Sequence, residues 1–457
     1  MRILIANLIA KIARTASRLT KSGGGTTLPG LLAEKIAPNI ITKLAGRLPQ
    51  GTIIITGTNG KTTTAKMLAA ILEASGLKVI YNSSGSNLSR GIASFLSLNS
   101  NLLGTKVNAD IGIFEVDEAT MPEITGKISP RLIIVTNLFR DQLDRYGELN
   151  KTAEIIGSAI DKSPQSTVLL NGDDPLVADL KKFSHKIRYF GIDEPLVSKS
   201  TGAIDSKICL HCGHELDYEY RYFGHLGRYQ CPNCGYKKPD LDYKFTKLDL
   251  KVDESTALFK NNSEKEDFTI KTKLPGLYNL YNALAACAIA SELGIKTFII
   301  QTALEQVSAA FGRMETIAIG KKRLALLLVK NPTGFTQVIE TLTYDKKPKN
   351  LFLILNDKFA DGTDISWIWD AELEMINRLT KNVTVSGLRA EDMLLRLKYA
   401  DFDLKQILLE KNIALALAAA LEKTNDNEVL YVLPTYTAML ELRKILFNRG
   451  LVKGLVE

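Results

Sequence analysis

Along this chain, short apolar runs bounded by turn residues alternate with longer segments whose apolar positions recur every three or four residues. Ile53 to Ile55, Ile111 to Val116, Leu132 to Thr136 and Val168 to Leu170 are mainly apolar runs, polar only near their carboxyl ends, the pattern of strands buried on both faces of a parallel sheet. Behind the first run, Ala65, Met67, Leu68, Ile71 and Leu72 recur at helical spacing, and Ala283 to Ala290 forms an Ala-rich helix. From about Met314 the alternation starts again, with strands at Leu324 to Val329, Leu351 to Leu355, Val383 to Ser386 and Val429 to Leu433. The pattern predicts an α/β protein of two units, residues 1–312 and 313–457, with a compositional break at 205–238 inside the first.

The first twenty-one residues place Ile3, Leu4, Ile5, Leu8, Ile9 and Ile12 among Arg2, Lys11, Arg14, Arg18 and Lys21, an amphipathic basic helix. Its apolar stretch is too short to span a bilayer and lacks a signal-peptide core, so neither export nor a transmembrane anchor is expected. The stripe either packs on the domain or lies on a membrane surface. After the Ser22–Thr26 turn, a second helix is expected from Leu28 to about Leu48.

With 45% hydrophobic and 24% charged residues over 457 positions, the chain has ordinary globular composition. Its net charge of +8 favours acidic partners: nucleotides, nucleic acid, anionic lipid head groups or acidic substrates. Five cysteines are few for a disulfide scaffold, and four fall in two CxxC pairs, which suits a reducing cytoplasm and a bound metal.

The break after Ile55 carries the strongest chemistry. Thr52-Ile-Ile-Ile-Thr-Gly-Thr-Asn-Gly-Lys-Thr-Thr-Thr64 reads strand, glycine turn, helix. Gly57 and Gly60 let backbone N–H groups turn inward, the helix starting near Lys61 points its positive end at the same spot, and Lys61 adds a full charge. Thr62 is placed to hold Mg2+ beside the phosphates. The loop is the shorter G-x-x-G-K-T, with Ile55 where the general phosphate-loop pattern has glycine; a plain βα turn is the non-functional alternative. Asn82 to Leu88 is a polar loop that lies over a nucleotide or simply connects. The strand ending at Glu115-Val-Asp117-Glu118 delivers three carboxylates to the end of a sheet where ligands gather; Glu115 is the Mg2+ candidate, against a solvated charge cluster.

Cys209-x2-Cys212 and Cys231-x2-Cys234, separated by eighteen residues and each followed by glycine, read as a zinc ribbon. Four thiolates close the coordination shell, so the Zn2+ is structural, and His211 and His214 are not needed. Tyr218, Tyr220, Arg221, Tyr222, Phe223, Arg228 and Tyr229 either cover this small unit or stack on bases. In the second unit, Asn356 to Trp369 brings Asp357, Asp361 and Asp364 to a strand's carboxyl end, where they cap a turn or orient a base or cation.

Thr56-Gly-Thr-Asn-Gly-Lys-Thr-Thr63 resembles the ATP loop of the Mur ligase family, enzymes that join acids to amines through an acyl phosphate. The resemblance continues in Asn137-Leu-Phe-Arg-Asp-Gln-Leu-Asp144, with Gln142 where the usual member has a metal-binding His, and in Asn171-Gly-Asp-Asp174, which in the family lies near adenine and ribose. Gly276-Leu-Tyr-Asn279-Leu-Tyr-Asn282 and Gly312-Arg313 match further family motifs. The implied fold is a Mur ligase-like ATP-binding domain with a parallel sheet and an inserted four-cysteine zinc ribbon, followed by a Rossmann-like α/β domain. The implied ATP set is Gly57, Thr58, Asn59, Gly60, Lys61, Thr62, Thr63, Asn282 and Arg313, with Mg2+ on Thr62 and Glu115. Orthodox members carry an additional N-terminal domain for a nucleotide-sugar substrate, whereas here the ATP domain comes almost at once, so the substrate is expected to be held differently.

The zinc ribbon, Asn331-Pro-Thr-Gly334 and Asp361-Gly-Thr-Asp-Ile-Ser-Trp-Ile-Trp-Asp370 together resemble, within that family, the ligase subunits of two-component enzymes that amidate lipid II. This implies an ATP-dependent carbon–nitrogen ligase acting on the α-carboxyl of the second-position D-glutamate at the cytoplasmic membrane face. A separate GatD-type glutaminase would supply ammonia, with no nucleic acid involved. Lys61, Glu115 and Asp364 are the implied catalytic residues, the last completing the glutaminase Cys–His pair. The residues agree in one respect: glutamine hydrolysis needs a cysteine activated by histidine, yet four cysteines are committed to metal and Cys287 lies in an apolar helix. His185, His211, His214 and His225 offer Cys287 no partner. A Mur-type amino acid ligase acting on folate or peptide shares the ATP residues and remains an alternative, as does a zinc-ribbon NTPase acting on nucleic acid.

Overall fold

The computed structural model describes residues 1–19, 27–82, 87–140, 149–195, 205–262, 267–307 and 313–452. At the centre of the first unit lies β1 (Thr52–Thr56), all five residues buried. Successive side chains of a strand point to opposite faces, and β1 obeys this: Ile53 and Ile55 enter one apolar cluster while Ile54 enters the other. A strand buried on both faces needs helices on both sides, and the helix Lys61–Ala74 (α4) and the helix Leu277–Glu292 cover one of them. The other is covered by α2 (Leu28–Ile36), α3 (Ile40–Ala45) and α5 (Ser89–Leu98).

The remaining strands of this sheet are β2 (Val79–Tyr81), β3 (Ile111–Glu115), β4 (Leu132–Val135), β5 (Thr167–Asn171), β6 (Ile187–Ile192), β9 (Tyr243–Leu250), β10 (Ser255–Asn261) and β11 (Phe268–Thr272). Their order is β11-β10-β9-β6-β5-β4-β1-β3-β2. Neighbours from β2 to β9 run parallel, and β10 and β11 extend the sheet antiparallel. The chain leaves β1 toward β2 on one side, returns through β3, and then crosses to β4 on the other. Such a reversal opens a crevice at the carboxyl ends of the strands, and the loop after β1 sits there.

Between β6 and β9, which are neighbours in the sheet, the chain detours through a small unit built on the hairpin β7 (Asp217–Phe223) and β8 (Leu226–Gln230). Its aromatics are consumed in packing: Tyr222, Phe223 and Leu226 join the core under the sheet, and Tyr229 and Tyr236 pack around the cysteines. The second unit holds β12 (Arg313–Ile319), β13 (Lys322–Leu327), β14 (Lys349–Ile354), β15 (Thr380–Ser386), β16 (Ile407–Leu409) and β17 (Val429–Pro434) in the order β12-β13-β17-β14-β15-β16. Only β12 is antiparallel within it.

The helix expected from Leu28 to about Leu48 is two helices. Pro38 disfavours helical geometry in the residue before it, and Ala37 takes φ −131°, ψ 85°, ending α2 before α3 begins. The basic N-terminal segment is a helix, α1 (Arg2–Leu19). It packs through Ala6, Asn7 and Ala10 while Leu4, Ile5, Leu8 and Ile12 face outward. No helix of the described residues is long and apolar enough to cross a membrane.

Candidate functional site

The loop Gly57–Gly60 turns through two left-handed glycines, φ +118° at Gly57 and +91° at Gly60. A Cβ on Gly57 would meet Thr136 Oγ1 at 2.4 Å, and one on Gly60 would meet Asn282 Oδ1 at 2.1 Å, so both positions are closed to any side chain. The loop is braced from the end of β4. Thr58 N–H donates to the Asn137 carbonyl (2.8 Å), Asn59 N–H to Asn137 Oδ1 (2.9 Å), and Thr136 Oγ1 to the Asn59 carbonyl (2.8 Å). Asn282, from the Ala-rich helix, fills the space Gly60 leaves and is oriented by its own bond to Asn279 Oδ1 (3.2 Å).

Where α4 begins, Thr62 Oγ1 donates to Glu115 Oε2 at 2.8 Å. Glu115 is buried and its strand position is fixed by Asn82, which exchanges side-chain bonds with both the N–H and the carbonyl of Glu115 (2.8 and 2.9 Å). Lys61 Nζ bonds the Gly57 carbonyl and forms an ion pair with Glu118 Oε1 at 2.8 Å. One hydroxyl and two carboxylates thus stand beside a lysine at a helix N-terminus, a hard-oxygen set of the type Mg2+ prefers next to a phosphate cradle. Glu118 was legible only as one of three clustered acids; its pairing with Lys61 is set by the turn after β3. Thr63 is buried in the first turn of α4.

The second unit reaches the same loop. Lys330 Nζ lies 3.4 Å from the Thr58 carbonyl, and Asn331 Nδ2 donates to Asn59 Oδ1 at 3.1 Å. Asn331 also caps the helix Pro332–Leu342 through Gly334 N–H (2.8 Å). Arg313 opens β12, but its side chain lies outside the described residues, as does Gln142. Asp173 and Asp174 are fully buried. Asp173 meets Lys238 Nζ (2.5 Å), Tyr281 Oη (2.6 Å) and Ile192 N–H (2.7 Å), and Asp174 accepts from Leu138 N–H (2.8 Å) and lies 3.3 Å from His225 Nε2. These two carboxylates tie the inserted unit and the loop after β4 to the sheet.

The four cysteine sulfurs all lie within 4.8 Å of one another. Cys209 and Cys234 are 3.5 Å apart and Cys212 and Cys231 3.4 Å, close to the edge of about 3.8 Å expected for a tetrahedron of Zn–S bonds. Both CxxC turns have the same knuckle: Gly213 N–H bonds the Cys209 carbonyl and Gly235 N–H the Cys231 carbonyl. The donor set fits structural Zn2+. His211 is engaged elsewhere, 2.7 Å from Asp179 Oδ1, and Cys287 is enclosed in the core, where burial pushes its thiol pKa far up.

The three aspartates after β14 part company. Asp361 is buried and accepts from the N–H and hydroxyl of Thr437, and Asp357 pairs with Arg389 at 3.0 Å. Asp364 is exposed and accepts from Ser366 N–H, at the start of the short helix Ser366–Asp370, at 2.8 Å, a bond that lowers its pKa. Phe359 and Trp369 of the same loop stand in solvent, and Trp369 meets Tyr399 with ring centroids 5.5 Å apart.

A parallel sheet with a G-x-x-G-K-T cradle at its switch point, joined to a second α/β unit that touches the cradle, defines a Mur ligase-like protein. Residues 55–234 match the Mur ligase middle domain, and residues 328–439 match the MurT ligase C-terminal domain. A subunit named MurT of the glutamine-hydrolysing lipid II isoglutaminyl synthase of Streptococcus pneumoniae is 38% identical over 95% of both chains. Among solved structures, a pseudomurein peptide ligase type C from Methanothermus fervidus shares the fold (TM-score 0.68, 22% identity, 89% of this chain and 80% of that one). So does a MurF ligase from Thermotoga maritima in complex with ADP (TM-score 0.62, 15% identity, 93% of this chain and 85% of that one). This chain belongs to the MurT family of Mur ligases.

Proposed function

We propose that this chain is the ATP-dependent ligase subunit of a lipid II isoglutaminyl synthase, converting the α-carboxyl of D-glutamate in the lipid II stem peptide to the amide. The observation that carries the reading is similarity to a relative of that name along 95% of both chains. The phosphate loop supports it, with Lys61, Thr62, Glu115 and Glu118 linked by side-chain bonds of 2.8 Å.

In this reading Gly57 to Thr63 hold the phosphates of ATP, and Thr62 and Glu115 hold Mg2+, which supplies charge neutralisation when bound. Lys61 exchanges Glu118 for the γ-phosphate. Lys330 and Asn331 bring the second unit onto the loaded loop, and Asn282 and Arg313 complete the nucleotide contacts. The substrate carboxylate attacks the γ-phosphorus and ADP leaves. Ammonia then adds to the carbonyl of the acyl phosphate, phosphate departs, and the nitrogen loses a proton.

Ammonia comes from a GatD-type glutaminase. Every cysteine here is either in the four-sulfur cluster or, as Cys287, buried in the core, so this chain supplies no nucleophile for glutamine. Asp364 is the residue proposed to reach that partner: it is exposed, held as the carboxylate by Ser366, and shares its loop with the exposed Phe359 and Trp369.

Product mass decides the matter. With lipid II, ATP and free ammonia the purified chain is expected to replace one OH by NH2, and with glutamine in place of ammonia to give no product until the glutaminase is added. Amidation from glutamine by this chain alone would overturn the two-subunit reading. Ligation of an amino acid instead of ammonia would make it an amino acid ligase.

A further inference from the structure

We propose that the outward face of α1, continued by Leu103, docks on an anionic lipid bilayer. The helix is turned opposite to what core packing alone would favour. Its small residues Ala6 and Ala10 are fully buried against the domain, whereas Leu4, Ile5, Leu8 and Ile12 are 36 to 57% exposed. At 100° per residue these four fall within one stripe about 100° wide.

This orientation is pinned. Asn7 Nδ2 donates to the Asn101 and Leu102 carbonyls (3.1 and 3.3 Å), and Lys11 Nζ to the Ser100 carbonyl (2.8 Å). Ile3 lies where a Cβ on Gly104 would approach to 2.4 Å. Rolling the helix to bury its leucines would break these bonds. Leu103, the most exposed leucine of the molecule's described residues, shares a cleft with Leu4, Arg2 and Lys43.

Charge selects the occupant. The first acidic residue in the chain is Glu34, so the helix carries Arg2, Lys11 and Arg14 with no acid among them. A second copy docked through the same face would juxtapose these cations with nothing on the helix to pair them. An anionic lipid surface complements them, and its acyl boundary takes the aliphatic stripe. The proposal rests on the lipid II reading for its biological sense, since it would hold the enzyme where a lipid-borne substrate resides.

The test needs no lipid II. The full chain is floated with vesicles of phosphatidylglycerol and phosphatidylcholine, and with phosphatidylcholine alone. It should rise with the anionic vesicles, less so in high salt. L8Q/I12Q should lower the bound-to-free ratio by about tenfold or more, and L103Q in the same direction. All three positions face outward, so the variants should melt with the parent. No flotation, or flotation unchanged in both variants, overturns the proposal. So does a parent dimer in sedimentation that L8Q/I12Q converts to monomer. Flotation with no amidation would leave the docking face standing and overturn only the activity.

Discussion

At Gly60, a single hydrogen atom in place of a methyl group lets the chain turn from β1 into α4 against the Asn282 side chain. The residue is left-handed and lies against the Asn282 carboxamide. G60A should therefore cost about 2 to 4 kcal/mol, from backbone strain and overpacking together. Adding N282A should recover the packing part only, so denaturant titrations of the two singles and the double should be non-additive; additive losses would refute the contact. Lys61 makes a second case, being both proposed phosphate ligand and ion-pair partner of a nearly buried Glu118. K61A should lower kcat/KM by about 100-fold or more and destabilise by about 1 to 3 kcal/mol, because Glu118 is stranded. K61A/E118Q should regain the stability and not the activity. Lys61 and Thr62 were legible in the sequence because strand, glycines and helix lie in one local string. The partner Glu118 was not, since the pairing spans 57 positions and three neighbouring acids compete for it on paper.

Elements repeat the lesson. The strands could be read as runs of branched apolar residues because sheets covered on both faces tolerate no polar alternation. The helix expected from Leu28 to about Leu48 was misjudged because apolar spacing continues across Pro38 while the backbone does not. The cysteine unit was legible from spacing alone, but its anchoring through Lys238, Tyr281 and Asp173 was not, since these lie in three separate elements. Chelating the proposed zinc, or C212S, should unfold the hairpin and expose Tyr229 and Tyr236, read as a fall in melting temperature with a change in tyrosine fluorescence. In the second sheet, Glu428 at the start of β17 bonds Lys381 at 2.7 Å and Asn350 at 2.8 Å. Lys381 above all lowers its pKa from the ordinary 4.5 to about 2. Its stabilising contribution is thus complete above pH 4.5 and lost as the pH falls toward 2. E428Q should melt below the parent at pH 7 and coincide with it near pH 2.

Over the whole molecule, the contacts hardest to foresee join the two units. Lys330 and Thr58 are 272 positions apart, and no local pattern connects them; only the strand order of both sheets brings them together. The proposed tasks are also divided between the two units, with Lys61 in the first and Asp364 in the second. D364N should leave ammonia-dependent amidation unchanged and lower glutamine-dependent amidation about 100-fold or more when the glutaminase is present. Loss of both rates together would place Asp364 in the ligase reaction instead.

The detour between β6 and β9 also reaches into the history of each molecule. As the chain emerges, β1 to β6 find their neighbours early, but β9 to β11, and then the helix that delivers Asn282, follow the cysteine unit. Capture of the proposed zinc is therefore expected to act as a maturation checkpoint. Chains made in metal-starved cells should accumulate with six of the nine strands paired and the loop after β1 unfinished, and trace-metal supply would set how many completed molecules each round of translation yields.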